Sequence, residues 1–514
     1  MANSTPLLPC HRSSDTQSQP ESKRKAVDDA IESYIGATGL AQLLQAIFVS
    51  LAWAFDAQQT FINVFTDAEP SWHCTRADDP LCLSALHPCG LPQGSWAWDH
   101  SKHTSVVSEW GLECSGPAIT GLPASAFFAG CLIGGLVLAP LADSLLGRKN
   151  MLLLSCLTMS LTGALTVFAP NFWVYVSLRF ICGFGRATIN SSALVLSTEM
   201  VGKRWRDRIG IVGFFCFTLG FLSLPAVAYV EQGSSWRTLY AWISVPSFCY
   251  SILIYFLIQE SPRWLLVRGR REEAIQTLKS IAASNGNIVD SSFSDLLTAE
   301  EIRTVGTFAA MRMLWEKRWA FRRLAAIMTV GFGVGMVYYG MPLNLGNLGS
   351  NLYLSVTFNA LAELPAALIT FFLVERMDRK SSVIVFTAIS GVCSILCIFL
   401  RVEELRMAVE VVSFFSACTA FNVALIYSIE LFPTCLRNSA ISIVRQAIML
   451  GGTLAPILVG EGRRNGSLSF GVFGVVIGGC GLFSACLPET RGTSICDTVE
   501  EEESKEISSS RAHR

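Results

Sequence analysis

Two ionisable residues, Glu363 and Arg445, lie within long apolar stretches of this sequence. A charge at the centre of a bilayer costs about 2.5–3.5 kcal/mol on insertion scales, so each needs a physical reason. A fixed carboxylate can attract a cation or take up a proton, and a guanidinium can hold a carboxylate through two parallel hydrogen bonds. The alternatives are a protonated or helix-buried carboxyl for Glu363. For Arg445 they are an internal pair with Glu363 or another acid, or a side chain that reaches the cytoplasmic rim.

Aromatic rings in the same apolar stretches could hold a quaternary ammonium group. The face of an aromatic ring attracts such a cation by about 0.5–2 kcal/mol. The chain has 32 Phe, so any single ring is more often part of ordinary packing. The rings that we predict to contact a substrate are Phe214, Phe217, Phe332, Tyr338 and Tyr339.

Other polar residues in apolar stretches have more than one interpretation. Asp56 fits either an interfacial position or a role in substrate entry. Arg179 and Arg186 are seven residues apart and share a helix face, so we predict that they pair with acids of neighbouring helices. The run Gly183–Arg186 lacks the Gly-Lys-Ser/Thr of a phosphate-binding loop and favours close helix packing instead. No metal, catalytic-triad or dinucleotide motif is present, so we expect no cofactor, no metal site and no enzymatic activity.

The amino-acid composition indicates the class of protein that holds these residues in place. Hydrophobic residues make up 51% of the 514 positions and charged residues only 15%, against about 25% charged in soluble proteins. The mean hydropathy is +0.45, and the formal net charge of −1 gives no basic excess for nucleic acid. Soluble, disordered and nucleic-acid-binding classes are therefore excluded, and an all-α integral membrane protein embedded in the lipid bilayer remains.

A spanning helix needs about 20 apolar residues, and twelve stretches of the chain qualify. They are Leu40–Ile62, Ala118–Pro140, Met151–Ala169, Phe172–Leu196, Ile209–Val230, Thr238–Ile258, Ala325–Leu343, Leu352–Val374, Ser382–Leu400, Ala408–Ser428, Ser439–Gly460 and Ser469–Leu487.

The distribution of Lys and Arg predicts how these spans are oriented. Short loops after even-numbered spans carry ten Lys and Arg residues and those on the other side carry five, which places both termini in the cytoplasm. We expect a cytoplasmic tail at 1–39, a six-helix half at 40–258 with an extracellular loop at 63–117, a cytoplasmic loop at 259–324, a second half at 325–487 and a cytoplasmic tail at 488–514.

The extracellular loop contains four of the 17 cysteines, Cys74, Cys82, Cys89 and Cys114. Cysteines clustered on an oxidising face suggest two disulfides, with three possible pairings. Four free thiols are the alternative.

The sequence repeats itself at a spacing of about 231 residues. The pair Arg148–Lys149 recurs as Arg379–Lys380, and Glu260 after span 6 recurs as Glu489 after span 12. Glu199 and Arg206 likewise recur as Glu430 and Arg437. Two parallel six-span halves are typical of transporters, with the substrate site between them near the bilayer midplane.

The repeated markers resemble those of the major facilitator superfamily, over nearly the whole chain from about Leu40 to Cys496. The cysteine-bearing loop and Tyr338–Gly340 in span 7 look like the organic cation/carnitine transporter family, and Phe55–Gln59 with Pro70–Cys74 look like its plant branch. The superfamily motifs themselves are at 141–149, Glu260–Leu265, Glu430–Thr434 and Pro488–Gly492.

The resemblance implies a twelve-helix transporter that works by alternating access. Glu363 for an ammonium and Arg445 for a carboxylate would suit a small organic cation or zwitterion such as carnitine, with a coupling proton or sodium ion as a further partner. In the superfamily, acids and bases pair across the halves and close the cytoplasmic side of the outward-facing state. The matching positions here are Asp143, Arg148, Glu199, Arg206, Glu260, Arg263, Glu375, Arg379, Glu430, Arg437, Glu489 and Arg491.

Two other functions fit the same scaffold. A proton-coupled sugar porter would want Gln and Asn lining the core spans, where they are scarce. A non-transporting sensor is the second alternative, and the gate motifs in both halves argue against it. We expect the plasma membrane as the location, with the vacuolar membrane as the alternative.

Overall fold

A computed structural model describes residues 39–76, 82, 88–92, 94–141, 146–284, 307–464, 468–492, 496 and 499–504. In this part of the chain, twelve helices form a bundle and each corresponds to one predicted span. They are α1 Leu40–Thr66, α2 Leu122–Leu141, α3 Arg148–Thr166, α4 in two segments, Phe172–Arg186 and Ile189–Glu199, α5 Lys203–Val230, α6 Trp236–Leu257, α7 Arg318–Asn344, α8 Leu352–Arg376, α9 Arg379–Phe399, α10 Glu403–Glu430, α11 Thr434–Arg464 and α12 Leu468–Leu482.

Ten of the helices in the described residues are long and apolar enough to cross a membrane on length and composition alone. The exceptions are α3 and α4. Helix α3 begins with Arg148 and Lys149 and is rich in Ser and Thr. Helix α4 carries two arginines and is broken into segments of 15 and 11 residues, each shorter than a span requires. Tertiary packing, rather than hydropathy, therefore makes these two part of the bundle.

The two halves use the same set of helix contacts. In the first half α1 packs on α5, α2 and α3 on α4, and α3 on α6. In the second half α7 packs on α11, α8 and α9 on α10, and α9 on α12, which is the same pattern six helices later. Helices α2 and α5 then meet α11 and α8 across the halves. This pseudo-twofold arrangement confirms the predicted fold of two six-helix halves.

The segment between α1 and α2 forms a small folded unit at one end of the bundle, which we call the outer end. Strands β1 Trp72–Cys74 and β2 Trp96–Trp98 pair antiparallel there. Disulfides join Cys74 to Cys82 and Cys89 to Cys114, so the expected two bridges are present and the pairing is decided among the three possibilities.

Glu109 fastens this unit to the start of α6. Trp236 Nε1 donates to Glu109 Oε2 at 2.7 Å, and Arg237 forms an ion pair with the same carboxylate. Burial alone would raise the pKa of Glu109, but the hydrogen bonds from Arg237 and Trp236 hold that pKa below its usual value. The outer unit is thereby tied to the first half by both charge and hydrogen bonding.

Candidate functional site

Glu363 lies on α8 between the two halves of the bundle, and its side chain is 8% exposed. Tyr338 of α7 donates its hydroxyl to Glu363 Oε1 at 2.7 Å. The Cys418 thiol of α10 is also within hydrogen-bonding reach of this carboxyl. Among the described residues no cationic side chain faces Glu363. The contacts shown for this carboxyl are therefore with neutral donors, and no ion pair with a described residue neutralises it.

Tyr338 is the centre of an aromatic cluster that crosses from one half to the other. Its ring stacks on Phe421 at 4.6 Å and on Phe414 at 5.9 Å, both from α10. It meets the edge of Phe61 from α1 at 6.5 Å, and Phe61 in turn contacts Phe217 of α5 at 6.4 Å. Ring faces from both halves therefore surround the donor that holds Glu363.

Tyr339 extends the cluster toward Arg445. Its ring lies 4.9 Å from that of Tyr338 and 4.6 Å from Phe128 of α2. Tyr339 also lies near Arg445, which is half-buried on α11. In the described part of the chain no salt bridge joins Arg445 to Glu363 or to any other acid, so the alternative of an internal ion pair finds no support in the geometry.

The structure does not bring all five predicted rings together. Phe217, Tyr338 and Tyr339 belong to the cluster just described. Phe214 is 39% exposed and packs edge-on against Trp53, while Phe332 is partly buried and its backbone carbonyl lies against Gly451. A substrate contact at Phe214 or Phe332 stays a prediction without geometric support.

The charged residues of α1 and α4 pair within the first half. Arg186 Nε and Nη2 donate to the two oxygens of Asp56 at 2.6 and 3.0 Å, and Asp56 is fully buried. This pairing agrees with the expectation for Arg186, and the full burial of Asp56 does not fit an interfacial position. The neutral residues Asn63 and Gln59 hydrogen-bond Arg179 instead of an acid.

Two of the predicted gate acids serve as helix caps. Glu260 accepts hydrogen bonds from the backbone N–H groups of Arg148 and Lys149 at 3.0 and 3.1 Å, at the start of α3. Glu489 accepts from Arg379 and Lys380 at 2.9 and 3.1 Å, at the start of α9. The sequence repeat is thus a repeated local structure, in which an acid after the sixth helix of each half satisfies orphan donors and complements the helix dipole.

The ion pairs shown among the other predicted gate residues stay within the second half. Arg379 binds Glu430 at 3.2 Å and Arg491 binds Asp378 at 3.6 Å, while the contact shown for Arg437 is a hydrogen bond to Thr434 of its own helix. Asp143 lies outside the described residues, as does the side chain of Glu375. The predicted pairing across the halves belongs to an outward-facing state, and it stays a prediction.

The outer end of the bundle is where the halves meet closely in this structure. Arg463 of α11 donates to the Asp67 carbonyl at 2.7 Å, and Phe65 stacks on Tyr353 of α8 at 5.5 Å. Gly460 of α11 lies so close to the short helix Pro117–Thr120, just before α2, that an added Cβ would be 2.7 Å from the Pro117 carbonyl oxygen. The outer end is therefore closed.

Comparison with known proteins identifies the family to which this helix bundle belongs. The sequence model of the family described as "Sugar (and other) transporter" matches residues 100–500. The chain is 56% identical to organic cation/carnitine transporter 2 of Arabidopsis thaliana, covering 94% of this chain and 95% of that one. The chain belongs to the organic cation/carnitine transporter family.

Other members and solved structures are consistent with this membership. Organic cation/carnitine transporter 3 of Arabidopsis thaliana is 54% identical over 99% of both chains, and solute carrier family 22 member 3 of Mus musculus is 33% identical over 85% of this chain and 78% of that one. The fold is similar to the xylose transporter XylE from E. coli in a partially occluded inward-open conformation, with a TM-score of 0.61 and 16% identity over 90% of this chain and all of that one. The protein is thus a multi-pass membrane transporter with the major facilitator fold.

Several residues of this transporter's interior were not found from sequence. Phe61, Phe414 and Phe421 contribute rings to the cluster, and Asn359 with Glu410 forms a buried polar pair beside it. Nothing in the sequence distinguishes these three phenylalanines from the other members of the 32 Phe in the chain. Glu410 did carry one, since it is an acid inside a predicted span.

Proposed function

We propose that this transporter carries small organic cations or zwitterions, with carnitine-like betaines as the first candidates, by alternating access. The observation that carries the proposal is a buried acid and a base without an acidic partner in the described residues, placed beside two adjacent tyrosines between the halves. Tyr338 donates a hydrogen bond to Glu363, and Tyr339 lies near Arg445. The names of the plant relatives support the same substrate class.

The chemistry of the site suits a quaternary ammonium group linked to a carboxylate. Glu363 supplies the negative charge, and the faces of Tyr338 and its stacked neighbours supply cation–π attraction without requiring a hydrogen-bond donor on the ligand. Arg445 supplies a planar fork of donors for the carboxylate. The substrate leaves chemically unchanged, so no catalytic step forms part of the proposal.

The cycle follows from how the halves contribute to the cluster. Helices α1 and α5 of the first half and α7, α8 and α10 of the second supply the rings and the acid. A bound ligand therefore touches both halves, and rocking of one half against the other exposes it to one side at a time. With the outer end closed, the protein is in the half of the cycle in which the substrate site opens toward the other end of the bundle.

We further propose that the outer end faces the outside of the cell and that the protein resides in the plasma membrane. Two disulfides in the segment 67–121 support an oxidising environment there. A fluorescent fusion of the full chain should mark the cell periphery. Labelling of the vacuolar membrane instead would overturn this location.

Uptake into membrane vesicles tests the substrate class. Vesicles that contain the protein are given labelled carnitine, choline or glucose, and vesicles without it serve as the control. We expect accumulation of carnitine and of choline but not of glucose. Accumulation of glucose alone would replace the proposal with a sugar porter, and no accumulation of any of the three would overturn it.

A further inference from the structure

A second buried acid, Glu410 of α10, lies beside the candidate site and has no role in the binding of a zwitterion. Glu410 and Asn359 of α8 are both fully buried. Asn359 Nδ2 donates to Glu410 Oε1 at 3.0 Å. The remaining oxygens of this pair, Glu410 Oε2 and Asn359 Oδ1, have no hydrogen-bond partner among the described residues.

Among the described residues, no ion pair joins Glu410 to a cation of its own helix, although the buried Nε of Arg406 has no hydrogen-bond partner there. Arg406 is one turn earlier on α10, but its Nη1 donates to the Leu348 carbonyl at 3.3 Å and its guanidinium lies 5.4 Å from the Phe470 ring. The turn after Glu410 presents Phe414, which is apolar. An ionised Glu410 would therefore be a buried charge without a counter-ion, which is a costly arrangement.

The neighbouring helices also bring no cation to Glu410 in the part of the chain that the structure describes. Helix α9 contributes Cys397, which interacts electrostatically with Glu410. Helix α8 contributes Asn359 and, one turn later on the same face, Glu363. Helix α7 contributes Tyr338, which is engaged with Glu363.

One added proton would give both of these oxygens a hydrogen-bond partner. With a proton on Glu410 Oε2, this O–H can donate to Asn359 Oδ1 while Asn359 Nδ2 continues to donate to Glu410 Oε1. The pair then has two reciprocal hydrogen bonds and no net charge. A hard metal cation wants about six oxygen ligands, and the two orphan oxygens fall well short of that number.

We propose that Glu410, held by Asn359, is a proton-binding site that couples substrate movement to the movement of a proton. Glu410 takes up a proton from one side of the membrane as an O–H bond and releases the same proton to the other side. This inference rests on the proposed transport function, because it assigns the driving ion of that same cycle.

The geometry links the proton site to the substrate site through two helices. Asn359 and Glu363 share a face of α8, and Phe414, one turn after Glu410, stacks on the Tyr338 ring that holds Glu363. A shift of α8 against α10 therefore changes both sites at once. That shared motion is how occupancy of one site biases the other.

Glu410→Gln is the test, because the glutamine amide can donate to Asn359 Oδ1 as the protonated acid does. The purified full-length protein is placed in liposomes, and labelled carnitine is followed in two modes. In the first mode an acid-outside pH gradient drives accumulation, and in the second unlabelled carnitine inside drives counterflow. We expect Glu410→Gln to lose the severalfold stimulation by the gradient while keeping at least about half of the counterflow. Glu404→Gln is the matched control, since Glu404 is an exposed acid on the same helix.

The outcomes separate the two proposals. Gradient-driven accumulation that survives in Glu410→Gln, or a wild-type protein that ignores the gradient, overturns the proton site while leaving transport intact. Absence of wild-type counterflow overturns the proposed function instead. In that case the infrared carbonyl band of a protonated carboxylic acid decides the proton site. Loss of this band in Glu410→Gln but not in Glu404→Gln supports it, and an unchanged band overturns it.

Discussion

At the scale of single residues, Glu363 and Arg445 differ in the contacts that their side chains make. Glu363 accepts hydrogen bonds from neutral donors, whereas Arg445 lies near Tyr339 and forms no salt bridge with a described acid. Asp56 and Arg186, by contrast, neutralise each other through two hydrogen bonds. A pair of that kind stabilises the fold, whereas Glu363 and Arg445, which form no ion pair with a described residue, are the two groups that we propose to bind a ligand.

Glu363→Gln removes the negative charge and keeps the size and a hydrogen-bond acceptor for Tyr338. Since a cation loses its counter-charge, we expect carnitine and choline uptake to fall by about tenfold or more, which corresponds to about 1.4 kcal/mol. The amount of protein in the membrane should not change. Glu403→Gln, an exposed acid at the start of α10, is the control. Uptake at the wild-type level in Glu363→Gln would remove Glu363 from the site.

Arg445→Ala separates the two ends of a zwitterion. Because Arg445 is proposed to hold the carboxylate, carnitine uptake should fall about tenfold more than choline uptake. The measurement is the ratio of the two initial uptake rates in the same vesicle preparation. An equal loss for both substrates would show that Arg445 has a structural role.

The sequence identified Glu363 and Arg445 because a charge within an apolar stretch is a rare and costly feature. It could not identify Phe61 or Phe421, since these rings come from helices hundreds of residues apart, and which face of an apolar helix meets its neighbours is decided by packing. The same reason explains why Phe217 joins the cluster while Phe214 of the same helix does not.

At the scale of elements, helices α3 and α9 have the same kind of N-terminal cap. In each half, a carboxylate that follows the sixth helix accepts two backbone N–H groups at the start of the third. The sequence revealed the spacing of these markers and indicated a gate. The capping role could not be read from the sequence, because it depends on where the chain after α6 and α12 returns in space.

Glu260→Gln and Glu489→Gln should each lower the free energy of unfolding by about 1 kcal/mol, because each loses a charge at a helix N-terminus. The caps are in different halves, so the double variant should lose about the sum of the two single losses. Thermal unfolding of the purified protein in detergent measures this, with Glu404→Gln as the control. Unfolding temperatures equal to that of the control would contradict the capping role.

At the scale of the whole molecule, the closed outer end shows which contacts must form and break in each cycle. The backbone just before α2 approaches that of α11, through Gly121 against Pro456 and Gly460 against Pro117. The two-half architecture was predictable from the twelve apolar stretches and the repeat. The state of the bundle was not, because one sequence must specify both the open and the closed arrangement.

Gly460→Val should block this closure, since an added Cβ at Gly460 would meet the Pro117 carbonyl oxygen at 2.7 Å. Uptake should fall by about tenfold or more while the purified protein still elutes as a single species. Gly479→Val on α12 is the matched control, because nothing lies within 4 Å of a Cβ added there. If Gly460→Val transports as well as Gly479→Val, closure at this point is not required.

Carnitine counterflow tests the central claim most directly, because it needs only the protein, the bilayer and the substrate. Liposomes with the purified full-length protein are loaded with unlabelled carnitine or with glucose, and labelled carnitine is added outside. We predict transient accumulation of label in carnitine-loaded liposomes, no accumulation in glucose-loaded ones, and loss of accumulation in Glu363→Gln. Equal accumulation in carnitine-loaded and glucose-loaded liposomes, or full accumulation with Glu363→Gln, would contradict carnitine transport through a site that contains Glu363.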